Sequence, residues 1–168
     1  MNRTIRLIAN TIEPPRGQAW HGGPTPLGAL RGVGAPEARW RPGPRRHSIW
    51  ALTLHVAYWK YAVRRSLLGV ELPRFPRSPA NFPAVPRPAN EKAWALDRRL
   101  LAEEHRLLLE TIEDFPEPLL HRSAEGRKRW TWGDLILGIT MHDAYHAGQI
   151  QMLKRLWSSR GRIAKPVS

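Results

Sequence analysis

The chain has 168 residues, enough for one domain with a sizeable core, and its eight tryptophans offer that core large apolar surfaces. It contains no cysteine, which excludes disulfides, a thiolate nucleophile and zinc–thiolate clusters, and no run of about 18 apolar residues, which excludes a membrane-spanning helix. Lys+Arg number 27 against 14 Asp+Glu, a formal net charge of +13, but the basic groups at 43–46, 63–65 and 126–129 are short and separated, so they read first as solvated surface. The first segment is too short and interrupted for a signal peptide, and a cytoplasmic location is expected.

Proline and glycine punctuate the chain. Residues 3–12 read as a short helix ended by Pro14, Pro15 and Gly17, and Trp20-His21-Gly22-Gly23 as a turn. Residues 24–33 read as another short helix, and 34–44, dominated by glycine, proline and arginine, as a loop. Ser48 is a good N-cap for a second helix that runs to about Leu68, where Gly69 is a C-terminal stop. Pro73, Pro76, Pro79, Pro83, Pro86 and Pro88 forbid helix or central strand in the next segment, which is expected to be an extended crossover. Asn90 caps a third helix ending near Phe115 and Pro116, and residues 118–128 read as a loop. Thr131 caps a last helix that runs to about Ser158. No strand-like alternation and no internal repeat appears. The expectation is a single all-α domain over 1–168, with three long helices, a shorter broken first one, and a crossover that lets the second and third run parallel.

On helical wheels, at about 100° per residue, Leu135, Ile139, His142, His146, Ile150, Leu153 and Trp157 share one face of the last helix. His142 and His146 therefore lie in the apolar stripe, stacked one turn apart. On the second helix Thr53, Lys60 and Arg64 define a narrow polar face, and His55 falls nearly opposite. Three protonated imidazoles in a small core would repel, and three neutral ones would each need hydrogen-bond partners. A divalent ion answers both demands, because it binds neutral imidazole and leaves each ring an N–H to donate outward. Inward histidines also occur as ordinary packed core residues, so the wheels alone leave both readings open.

Gln149, one turn after His146, can bond a metal-bound water or a backbone carbonyl. Asp97 and Glu104 fall within the apolar arc of the third helix. Either can orient a metal-bound histidine or act as a base, or be partnered by an arginine of a neighbouring helix. Asp143, about 100° round from His142, is expected at the rim or in an interhelical pair. His47, His105, His121 and His21 are weaker candidates.

The stretches at 19–24 (AWHGGP), 41–60 (RPGPRRHSIWALTLHVAYWK) and 130–155, with HDAYHAGQI at 142–150 the most diagnostic, resemble the DinB-like (DinB/YfiT-like) family of four-helix-bundle metalloproteins over residues 19–157. The resemblance implies a four-helix bundle of up-down-down-up order, often a dimer. It implies one divalent transition metal, commonly zinc or nickel, on His55, His142 and His146, with positions open to water or substrate. Gln149 and Glu104 would then be outer partners of the ligands. Trp50, Leu54 and Tyr61 lie off the core face of the second helix, which hints at further surface to bury, as in a homodimer.

Two functions follow as expectations. One is a metal-dependent enzyme of the thiol-S-transferase or hydrolase type, using a small-molecule substrate and a low-molecular-weight thiol. The alternative is a non-catalytic metal-containing module whose basic surface contacts nucleic acid or a protein partner. No recognition-helix motif or aromatic–basic alternation supports nucleic acid.

Overall fold

The computed structural model describes residues 2–15 and 22–163. His21 lies outside them, as does Trp20, so half of the expected turn at 20–23 is described. The described chain is all-α apart from one small hairpin. Its helices are α1 (Arg3–Ile12), α2 (Pro26–Ala29), α3 (Ala35–Arg39), α4 (Ile49–Leu68), α5 (Glu91–Glu113) and α6 (Trp132–Ile163). No described helix is long and apolar enough to cross a membrane.

Local chemistry accounts for the ends of the long helices. The Ser48 hydroxyl accepts from Ala51 N, and Gly69 takes the left-handed conformation (φ 61) that ends α4. Asn90 accepts from Ala93 N at the start of α5. Thr131 and Asp134 form a reciprocal cap ahead of α6. Asp134 N donates to the Thr131 hydroxyl at 3.1 Å, and Thr131 N donates to the Asp134 carboxylate at 2.8 Å.

The structure departs from the sequence expectation at five places: the helix expected over 24–33 is confined to Pro26–Ala29, a 3-10 turn at Glu117–Leu119 runs into the expected loop, and three further elements differ. Residues 35–39 are helical, because Pro36 sits in the first turn, where its missing N–H costs nothing. Residues 123–131 are not simply loop. Antiparallel strands β1 (Ser123–Ala124) and β2 (Arg127–Thr131) pair around Gly126, whose φ of 72 suits glycine. The last helix runs past Ser158 to Ile163.

Helix α4 is central: α3, α5 and α6 all pack on it, and the proline-rich crossover covers what they leave. Trp50 and Leu54 are fully buried and Tyr61 nearly so. Trp50 packs on Trp94 and donates its indole N–H to Asp97, while Tyr61 contacts Phe75 and donates to the Pro73 carbonyl. These three apolar residues of α4 are thus covered within one chain. The stripe of Thr53, Lys60 and Arg64 is enclosed too. Thr53 bonds the Ile49 carbonyl, Arg64 pairs with Glu104 of α5, and Lys60 is wholly buried.

A second apolar cluster joins Ile5, Ile8 and Ile12 of α1 to Leu108 and Ile112 of α5 and Ile136 and Ile139 of α6. The short α1 therefore supplies a true wall of the bundle. Near it His105 is buried on α5, its Nε2 3.5 Å from the Glu13 carboxylate and its Nδ1 without a hydrogen-bond partner. Burial, then the Lys60 charge, lowers its pKa to about 4. The folded state thus refuses a proton that the unfolded chain accepts near pH 6.5. Stability present at neutral pH is lost as the pH falls from about 6.5 towards 4, by ~3 kcal/mol from this residue. His105→Leu should flatten the decline of melting temperature of the metal-free protein between pH 7 and 4.5. An unchanged slope would show that His105 is not the group responsible.

Candidate metal centre

Helices α4 and α6 cross face to face, and the three inward histidines of the wheel analysis meet at that crossing. Ligand-competent ring nitrogens of His55, His142 and His146 lie within 4.8 Å of one another. One pair, His55 Nε2 and His142 Nε2, is 3.0 Å apart. A tetrahedral ion bound at about 2.0–2.1 Å needs its nitrogens about 3.4 Å apart, a spacing this range brackets.

The partners on the far side of the rings are as informative. His55 Nδ1 lies 2.6 Å from the Asn81 carbonyl, and His146 Nδ1 lies 2.7 Å from Gln149 Oε1. Both partners only accept, so both Nδ1 atoms carry the proton. Each neutral ring then turns an Nε2 lone pair towards the cluster. His142 Nε2–H donates to the His55 lone pair, which leaves His142 Nδ1 buried and unpartnered. To present a third Nε2 lone pair, His142 must carry its proton on Nδ1, a buried position with no acceptor, and a bound ion would have to offset that cost. The donor set therefore fits a divalent transition ion.

Electrostatics favour the same protonation state. Burial, followed by the neighbouring His146, His55 and Lys60, lowers the His142 pKa to about 3. Burial also lowers His55 and His146, although their bonds to Asn81 and Gln149 pull the other way. All three rings are neutral near pH 7, as metal binding requires.

The crossover contributes what the wheels did not reveal. Asn81 adopts φ 70, a left-handed conformation that asparagine tolerates, and it engages α4 twice. Its carbonyl holds His55, and its side-chain oxygen accepts the Trp59 indole N–H at 2.8 Å. Phe82 stacks on His55 at 3.9 Å and on His47 at 4.2 Å. An asparagine inside a run of prolines was the one available signal.

The remaining candidates lie elsewhere. Glu104 gives both carboxylate oxygens to Arg64, and Asp97 accepts from Trp50 and Arg77, so neither bonds a histidine of the cluster. Asp143 does form an interhelical pair. Its Oδ2 lies 2.5 Å from the buried Lys60 Nζ. His121 is exposed on its loop.

A cavity of about 260 Å³ opens beside His142, walled by Trp59, Trp130, Leu135 and Ile139. The sequence pattern described as the DinB superfamily matches residues 26–150, well over half of the chain and including all three histidines. No curated protein and no solved structure matches the chain.

Proposed function

The chain belongs to the DinB superfamily, and from that premise we propose that it is a metal-dependent enzyme whose divalent transition ion, zinc or nickel, is held by His55, His142 and His146. The observation that carries this reading is the placement of His55 Nδ1 against the Asn81 carbonyl and of His146 Nδ1 against Gln149 Oε1. A proton on each Nδ1 is then held by an outward acceptor, and the two Nε2 lone pairs converge. With three protein ligands the ion would keep a position open, and it would lower the pKa of a bound water or thiol towards neutrality.

The chain's own residues do the rest. Asn81 and Gln149 orient two rings. Phe82 and Trp59 exclude water from the His55 side. The buried Lys60–Asp143 pair sets a fixed charge arrangement near the α6 histidines. A protein without cysteine needs an external thiol for thiol chemistry. The reading is thus a cytoplasmic thiol-S-transferase or hydrolase acting on small molecules, with a low-molecular-weight thiol as the natural cosubstrate of the first.

The test is elemental mass spectrometry on protein prepared without a histidine tag, beside the His142→Ala/His146→Ala variant. About one equivalent of a transition metal in the wild type, lost in the variant, is expected. No metal in the wild type, and no uptake of added zinc or nickel near pH 7, would sink the reading.

A further inference from the structure

Cavities flank the histidine cluster on both sides; both have largely apolar walls, and they differ in the charged side chains that line them. One is lined by Trp59, Val63 and Ser66 of α4 with residues 134–142 of α6. The other, about 460 Å³, is lined by Pro42, Arg45, Arg46 and His47 ahead of α4, by Leu52 in its first turn, and by Gln149, Met152, Leu153 and Leu156 of α6. Residue numbers rise on α4 as they fall on α6, so the two helices run antiparallel here. His55, His142 and His146 therefore lie between the cavities along one seam. From His142 to Gln149 is seven residues of helix, about 10 Å.

The first cavity is apolar. Two indoles and aliphatic side chains form its walls, and its one carboxylate, Asp134, already accepts from the Thr131 amide and hydroxyl. Trp130 stands half-exposed at its mouth on β2. The second cavity has Arg45, Arg46 and His47 in its lining and no carboxylate. Among the described residues neither guanidinium has an acidic partner, and both are exposed. An anion at the Trp59 end would meet Asp134 and lose hydration. At the arginine end it would gain charge-assisted hydrogen bonds.

We propose that the ligand of this centre is an elongated amphipathic small molecule, with an anionic head on Arg45 and Arg46 and an aromatic tail between Trp59 and Trp130, so that the atoms joining them pass over the histidines. This rests on the histidine cluster being the working site. It adds to that reading the class and the direction of the substrate. A ring stacked between indoles supplies affinity without hydrogen bonds, and the single charged end fixes orientation.

The experiment compares 6-phenylhexanoate with hexanoate, which lacks the ring, and 6-phenylhexan-1-ol, which lacks the anion. Binding to the full chain is measured by calorimetry, as purified and after removal of metal by a chelator. 6-Phenylhexanoate should bind at least about tenfold more tightly than either truncated probe. Arg45→Glu/Arg46→Glu should make the acid bind no better than the alcohol while leaving alcohol binding unchanged, which also shows that the variant is folded. Trp130→Ala should weaken acid and alcohol together and leave hexanoate alone. The same pattern after chelation supports the proposal whatever the metal content proves to be. Equal binding of the three probes, or discrimination that survives both variants, overturns it. So does loss of the carboxylate's advantage on chelation, which would assign the head to the ion instead of the arginines.

Discussion

Lys60→Ala is expected to cost about 3–5 kcal/mol of folding stability at pH 7, the loss typical of breaking a buried ion pair from one side. Lys60 has no exposed surface, and its ammonium lies 2.5 Å from Asp143 Oδ2. Asp143 is buried as well, and its other oxygen has no hydrogen-bond partner. Burial pushes the Asp143 carboxyl up, and the Lys60 charge is the main influence opposing that rise. Without the ammonium a carboxylate would be stranded in the core, so the acid would be neutral when folded over a wider pH range. A raised folded pKa gives stability that is recovered as the pH falls, so the deficit of Lys60→Ala should shrink in acid. The double replacement Lys60→Met/Asp143→Leu should sit within about 1–2 kcal/mol of the wild type, because it removes both charges and refills the space. Urea denaturation of the metal-free proteins measures all three. A loss under about 1 kcal/mol in Lys60→Ala would show that water reaches the pair.

That pair marks the limit of what periodicity reveals. Ser48, Gly69, Asn90 and Thr131 announce the ends of the long helices because capping is local chemistry, settled within a few residues of the cap. The histidine face is legible for the same reason: one helical period carries His142, His146, Ile150 and Leu153 to one side. Lys60 is different. A lysine on a wheel reads as solvent-facing, and only the position of α4, surrounded by three helices and the crossover, turns it inward to meet Asp143. Trp50, Leu54 and Tyr61 show the converse. They look surplus to one core face, yet α5 and the crossover cover them. The Asn81 contact to His55 spans 26 residues, and the long-range fold decides it. The hairpin of 123–131 is short, and its paired strands are too brief for alternation to register.

Gln149→Leu should weaken metal binding about 10–100-fold while leaving the stoichiometry at saturation unchanged, the usual price of losing an outer partner of a ligating histidine. His146 Nδ1 donates to Gln149 Oε1 at 2.7 Å, and this bond keeps the Nε2 lone pair turned towards His55 and His142. Leucine fills similar space but accepts nothing, so the ring is free to rotate and to carry its proton on either nitrogen. Gln149→Glu should move affinity the other way, because a carboxylate is a stronger acceptor and makes the imidazole more basic. The comparison with His55 sharpens the test. Its outward partner is the Asn81 backbone carbonyl, which no side-chain substitution deletes. Asn81→Ala should therefore act more weakly, through the lost Trp59 bond and the strained φ of 70. Competition against a chromophoric chelator near pH 7, with zinc as the probe, ranks the variants. The expected order from tightest is Gln149→Glu, wild type, Asn81→Ala, then Gln149→Leu. If Gln149→Leu binds zinc as tightly as the wild type, the amide does not orient the ligand and the fixed-tautomer account of this centre fails.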